Sequence, residues 1–390
     1  MTDYKNLDNA EQNAPLVESL AEEGSFIDLD KYSRPKSEEV TAQSIVNFID
    51  LREKAVHVYS DDLRVNGEVV EDSFEKYLGA AKYLSSSFLK KGLLTPRHLY
   101  FEQQFNSALS KFKKESSSFN LGTFIHEAIL EPTKFSRVFV EPDFGISKNS
   151  TEHWFNLSFA WYTKLSELDI ECEVPVSGGK RDDYKNYVES CKVLSGIESI
   201  SSNDGLKIKA IKQALDQYGG GILHDILKRS KREISMYTED AETGLNVRIR
   251  PDAIQFKENI GVDTIISVKS TSCPDLKKFM YDCAKYNYDL SEAMYQDVAS
   301  EVTGRDFRNT LMIMVQTVEP FGIALVKWSS EDIAGGRYKY RTALERVLSY
   351  QEDGCGMSYD IYAEEGNRGI IDSALPWWSK SEIPAYNIRG

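Results

Sequence analysis

Several things are scarce or missing in this 390-residue chain, and each absence excludes something. No run of eighteen apolar residues occurs, so no transmembrane helix is expected. The opening stretch, MTDYKNLDNAEQNAPL, has neither a basic n-region nor an apolar h-region, so it does not read as a secretory signal. The five cysteines (172, 191, 273, 283 and 355) are odd in number and form no C-x-x-C pair. They read as reduced cytosolic thiols, neither a disulfide framework nor a zinc site. Internal repeats and low-complexity tracts are also absent. Positive charge is in deficit: the net charge is −14, which argues against a generally phosphate-seeking surface. Six of those negative charges fall in residues 1–40, where ten acids face four basic residues. Local basic clusters remain at 111–114 (KFKK), 207–212 (KIKAIK) and 227–233 (LKRSKRE). Each reads first as a solvated helix face, with a groove for a nucleic-acid backbone as the alternative.

What is present is a folded chain, 41% hydrophobic and 11% aromatic, long enough for a large core. Residues 1–40 are polar and weakly periodic, the pattern of a loosely held tail. From 41 to 115 the period turns helical, as in TAQSIVNFIDLREKA and SFEKYLGAAKYLSSSFLKKG, with a short hairpin around Asn66–Gly67 between them. FNLGTFIHEAILEP (119–132) reads as a helix ending near Pro132, and 205–230 as a helix interrupted by Gly219–Gly221. A strand meander follows: EISMYTED, LNVRIRPDAIQF and DTIISVKST. A long amphipathic helical region at 275–304, two more strands (TLMIMVQTV, GIALVKW) and a closing helix complete the order. The fold class is α/β (α+β), a central mixed β-sheet flanked by helices. Four segments are expected: an acidic tail (1–40), a mainly helical region (41–115), a core (116–350) and an extension packed on it (351–390).

Pro251 cannot donate to a sheet ladder, so Asp252 stands at a strand end, an edge or a bulge, where folds aim polar groups into sites. In the next strand, alternation places Ile265, Ser267 and Lys269 on one face and Ile266 and Val268 on the other. An Asp and a Lys on adjacent strands suit metal-assisted phosphodiester hydrolysis. The Asp binds a hard cation, and the Lys orients or helps deprotonate water or stabilises phosphorane charge. A salt bridge at a sheet end is the competing reading. His126 sits one turn after Gly122, whose missing side chain allows close backbone approach. It is a further candidate, or else a structural histidine. Glu233 falls opposite Arg250 and on the face of Asp252 if the EISMY and RIRPD strands pair through a turn near Ala241–Glu242. Lys228, Arg229, Lys231 and Arg232 could track a phosphate backbone. Ser291 and Tyr295 share one helix face.

The ordered set LGTFIHEAILEP, E-I-S…ETGLNVRIRPDAI, IISVKST and YNYDLSEAMYQD, spread over roughly residues 80–380, resembles the RecE-like (exodeoxyribonuclease VIII type) exonucleases of the PD-(D/E)XK nuclease superfamily. The upstream YLSSSFLKKGLLTPRHLYF and the closing DSALPWW are similar to the ends of that family's phage-type members. The resemblance implies an Mg²⁺-dependent exonuclease, with Mn²⁺ as a substitute, degrading linear double-stranded DNA 5′→3′. It also implies a homo-oligomeric ring, a single-strand annealing partner of the RecT type, and a phage or prophage protein in the bacterial cytoplasm. By motif, His126 and Asp252 match the metal-binding histidine and first acid, Lys269 the catalytic lysine, and Ser291 and Tyr295 a Gln-x-x-x-Tyr motif. The chain departs from the pattern twice, with Ser267 where acid-x-lysine needs the acid and Ser291 where the Gln belongs. Serine is a much weaker Mg²⁺ ligand than a carboxylate. Three accounts stay open. The acid has moved, to Glu233 or Glu292 (Asp263 shares the strand parity but lies about 13 Å away). Or the protein is a weakened or inactive nuclease-fold relative that binds DNA or recruits a partner. Or the serine replaces the acid by design. Cas4-like relatives need four clustered cysteines for iron–sulfur ligation, and here they are scattered.

Overall fold

The structure is a computed structural model describing residues 28–34, 39–40, 67–109, 117–353 and 357–374. The helical pattern at 41–55, the KFKK cluster, Cys355 and most of the acidic tail lie outside the described residues. So do Asn66 and the end of DSALPWW.

Strand β1 (Glu68–Val70) precedes helices α1 (Phe74–Gly79), α2 (Ser86–Gly92), α3 (Pro96–Leu109), α4 (Ser117–Leu130) and the single turn α5 (Pro132–Phe135). Next come β2 (Phe139–Val140), α6 (Thr151–Glu167), α7 (Arg181–Ser195), β3 (Ser199–Ile200), α8 (Ser202–Gln217) and α9 (Ile222–Lys228). The sheet-forming half begins with β4 (Lys231–Arg232), β5 (Ser235–Glu239), β6 (Asn246–Ile249), β7 (Ala253–Gln255), the turn α10 (Lys257–Ile260) and β8 (Thr264–Thr271). It ends with α11 (Leu276–Lys285), α12 (Tyr288–Thr303), β9 (Asn309–Gln316), β10 (Ile323–Lys327) and α13 (Ser330–Asp353).

The central sheet has the order β10-β9-β8-β7-β4. Its β8–β9 pair is parallel and the other pairs are antiparallel, so the sheet is mixed as expected. Parallel pairing needs a crossover, and α11 with α12 provides it. Strands covered on both faces need apolar residues at successive positions, and β9 is buried along its whole length. One face of β8 sends Ile266 and Val268 against α4, α8 and α9, through Ile125, Ile208, Ile211 and Leu223. The other sends Ile265 into a larger core with Leu89 of α2, Leu99 of α3, Leu290 and Val298 of α12, and Val347 of α13. The N-terminal helices thus share the core of the sheet. Residues 139–200 form a satellite with its own cluster of Leu157, Trp161, Leu165, Val188 and Cys191.

A second sheet, β1-β5-β6, is continuous with the first through one long bent hairpin. Its two arms, β4–β5 and β6–β7, keep a single register, with Tyr237 opposite Arg248 and Lys231 opposite Ile254. The bend is where both arms are irregular at once: Glu233 has φ 53°, and Pro251 interrupts the facing arm. The expected pairing of Glu233 with Arg250 is therefore corrected. Glu233 lies opposite Asp252 and donates its backbone N–H to the Asp252 carbonyl at 3.1 Å. The turn sits further along than Ala241–Glu242, with Asp240 N–H donating to the Leu245 carbonyl. An offset of two residues preserves the face, so Glu233 stays on the side expected.

Two expected helices are broken. SFEKYLGAAKYLSSSFLKKG divides into α1 and α2, because Ser73 and Ser85 each accept a hydrogen bond from an N-terminal amide of the helix they precede. The 275–304 stretch divides at Asn287, whose φ of 49° ends α11 and redirects the chain into α12. Gly336 of α13 lets that helix lie on the α12 backbone, since a Cβ there would approach the Asp289 carbonyl oxygen to 2.2 Å. Among the described residues no helix is long and apolar enough to cross a membrane.

Candidate active site

Strand β8 carries the site at its C-terminal half, where burial gives way to partial exposure at Lys269. The Asp252 carboxylate points across from the hairpin bend. Its Oδ2 accepts the Val268 backbone N–H at 2.6 Å and lies 3.4 Å from Lys269 Nζ. Burial pushes the Asp252 pKa up, but the Lys269 ammonium, His126 and the Val268 amide outweigh it and hold the carboxyl below its ordinary range. Lys269 shows the mirror image. Burial disfavours its charge, yet Asp252, Glu292 and Tyr288 hold its pKa above the usual lysine value. A lysine held in its charged form in this way suits a hydrogen-bond donor better than a base.

Helix α4 brings His126 to the same point. A Cβ on Gly122 would lie 3.0 Å from Ser270 Oγ, so glycine sets how closely α4 approaches β8. One turn on, His126 Nε2 lies 2.8 Å from the Val268 carbonyl oxygen. A carbonyl only accepts, so Nε2 carries a proton, and Nδ1 is the ring nitrogen that faces Asp252 Oδ1, 3.9 Å away. Glu233 closes the group: ligand atoms of His126, Glu233 and Asp252 all lie within 4.8 Å of one another. Burial, then the Asp252 charge, raises the Glu233 pKa to about 7 against the opposing pull of Arg250. Arg250 is a positioning group. Its Nε donates to Glu233 Oε2 and its Nη1 to Asp72 Oδ1, each at 3.0 Å, and Asp72 also accepts from Tyr237.

Ser267, at the place of the expected acid, is fully buried and meets an acid from elsewhere. Its Oγ lies 2.7 Å from each carboxylate oxygen of Glu292 on α12 and shares its single proton between them. Burial raises the Glu292 pKa despite Lys269, Ser267 and Lys90 nearby. Asp263 is far from this chemistry, accepting from Lys257 N and from Arg305 at the other end of β8.

The remaining candidates divide. Burial, then the nearby Tyr77, drives the Tyr295 pKa well up, with Asp252 and Glu292 also in its field. Ser291 is buried on α12. Arg232 donates to the carbonyl oxygens of Leu227 and Leu130, so it closes the ends of α9 and α4 rather than facing a phosphate. Lys231 pairs with β7 through its backbone, Arg229 follows α9, and the Lys228 side chain lies outside the described residues. Sequence reasoning passed over Asp72, Lys90 and Tyr288. Lys90 Nζ lies 5.1 Å and Lys269 Nζ 5.7 Å from the Tyr288 ring centroid. Nothing local marks these residues, because their meeting depends on how α2 and α12 pack.

Residues 207–355 match a family described as a PDDEXK-like domain of unknown function (DUF3799). No curated protein matches the chain. A solved structure described as "Putative exonuclease" from Eubacterium rectale is similar at 10% identity and a TM-score of 0.43, over 80% of this chain and 99% of that one. The matched stretch holds Glu233, Asp252, Ser267, Lys269 and Glu292 together with the mixed sheet that carries them, so it is this part of the chain that is similar to a PDDEXK-like domain.

Proposed function

We propose that this chain is a metal-dependent DNA nuclease. The observation that carries the reading is the convergence of one imidazole nitrogen and two carboxylates within 4.8 Å, beside a lysine 3.4 Å from one of those carboxylates. The residues fit a divalent cation on chemical grounds. Two acids face each other, one with its pKa raised partly by the other's charge, and the histidine turns Nδ1 toward them while Nε2 is tied to a backbone carbonyl. Mg²⁺, or Mn²⁺ where the imidazole matters more, suits such a donor set. When bound, the cation polarises the phosphoryl group and makes water more acidic.

The chain's own groups do the rest. Asp252 is kept anionic, ready to hold the cation. Val268 N–H and Lys269 fix the orientation of that carboxylate. Lys269, kept protonated, offers an N–H donor to negative charge growing on the phosphate. Glu292 supplies the negative charge that Ser267 cannot, so the acid-x-lysine pattern is completed by contact between β8 and α12. Glu233 competes between proton and cation, so cation binding tightens as pH rises through about 7.

The RecE-type resemblance supports the finer reading. The substrate is the end of linear duplex DNA, degraded 5′→3′ to leave 3′ single strands for an annealing partner, by a ring of subunits in the bacterial cytoplasm. The alternative is a catalytically silent DNA-binding or partner-recruiting module, favoured by the serine at position 267. Digestion of end-labelled linear duplex with and without Mg²⁺ decides between them. Loss of linear DNA only with metal, with closed circles spared, is expected. Salt-sensitive binding without any loss would establish the silent module instead.

A further inference from the structure

We infer that the junction between α11 and α12, together with Lys90 of α2, forms a subsite for an unpaired nucleotide next to the phosphate being cleaved. Tyr286 takes the base, and Lys90 and Lys269, both beside Tyr288, hold the adjoining phosphate. The inference rests on the nuclease reading above and adds the strand-holding surface.

Three observations carry it. Tyr286 is 49% exposed, at a helix end where a non-glycine left-handed residue, Asn287, fixes the turn. Its ring lies 6.0 Å from that of Tyr288 at an interplanar angle of 30°, and Lys285 Nζ lies 5.4 Å from its centroid. Aromatic faces interleaved with cations are what sequence-tolerant single-strand binding uses: stacking for bases, ammonium groups for phosphates.

Second, the same aromatic pair leads straight to the scissile site, because Tyr288 lies beside both Lys90 and Lys269. Third, Lys90 has no carboxylate within ion-pair distance among the described residues. The two acids in its field are engaged elsewhere, Asp289 with Lys339 at 2.7 Å and Glu292 with Ser267. Burial, and then the Lys269 charge, lower the Lys90 pKa to about 8. Two ammonium groups beside one ring repel each other, and the negative charge of a phosphate near both relieves the repulsion. Lys90 as a stem merely covering apolar surface is the plainer possibility, and it predicts no effect on nucleic acid.

Binding of a short fluorescent single-stranded DNA to the full chain without metal, titrated over salt concentration, tests the inference. Tyr286→Ala is expected to weaken binding about tenfold with the salt slope unchanged, since stacking is uncharged. Lys90→Gln is expected to reduce that slope by about 0.7, the loss of one phosphate contact, and Lys90→Arg to retain it. Wild-type affinity and slope in both Tyr286→Ala and Lys90→Gln would overturn the subsite. So would a loss in Lys90→Gln that Lys90→Arg shares, with the slope untouched. Because the readout is metal-free binding, a chain that binds in this way but never cleaves sinks the nuclease reading alone. A chain that cleaves while both variants bind normally sinks the subsite alone.

Discussion

Ser267→Asp, the substitution that would restore the acid-x-lysine pattern, is expected to destabilise this protein rather than improve it. Ser267 and Glu292 are both fully buried and in contact, with Oγ 2.7 Å from either carboxylate oxygen. An aspartate there would press two carboxyl groups together away from water, and such a pair cannot ionise fully. Holding both charged costs on the order of 3–5 kcal/mol, the penalty of an uncompensated buried charge. Sharing one proton instead raises the pair's folded pKa above its unfolded value. A group of that kind contributes stability below the unfolded pKa and loses it as pH rises. The deficit against wild type is therefore smallest at acid pH and grows above the ordinary carboxylate range. Exchanging the two residues, as Ser267→Asp with Glu292→Ser, returns one acid and one hydroxyl to the same pocket and is expected to recover most of the loss. Thermal unfolding of the three proteins across pH measures this. A Ser267→Asp single variant as stable as wild type at pH 8 would mean that Glu292 is not confined against position 267.

Lys269→Ala is expected to lower the rate of DNA digestion by about 10²–10³, the scale on which one preorganised donor to transition-state charge matters. Its effect on the folded protein is distinct and separately readable. Asp252 and Glu292 both have Lys269 as the leading favourable charge in their surroundings. Removing it leaves burial opposed only by their lesser partners, His126 and the Val268 amide at Asp252 and Ser267 and Lys90 at Glu292, so both carboxyls move upward and Asp252 takes up protons at higher pH. The pH above which the variant binds a divalent cation should rise accordingly, whereas Lys269→Arg keeps the charge and the binding. Retention of full digestion in Lys269→Ala, with the protein folded, would remove this lysine from the chemistry.

Much of this arrangement was legible in the chain. Pro251 marked the strand break that aims Asp252, and alternation along β8 put Ser267 and Lys269 on one side and Val268 on the other. Gly122 signalled a close helix–strand approach one turn from His126. These signals are local, set by backbone geometry over a few residues. What was missed depends on the rigid placement of distant elements. For Glu233 the alternation gives the face but not the partner, because turn length fixes register only within the hairpin's own geometry. Arg232 looked like a phosphate contact and instead caps two helices. Glu292 was one of two acids that could have replaced the strand acid. Only the packing of α12 on β8 brings it to Ser267, while Glu233 joins the His126–Asp252 group. Lys90 lay in a lysine pair that reads as a solvated helix end until α2 is packed against α12.

The most direct measurement is diffraction from crystals grown or soaked in Mn²⁺, with anomalous density collected at the manganese edge. One peak bounded by His126 Nδ1, Glu233 and Asp252 is the predicted result, lost in an Asp252→Asn crystal. A peak at some other group of acids, or none between these three at saturating Mn²⁺, would contradict the metal site on which the proposed chemistry depends.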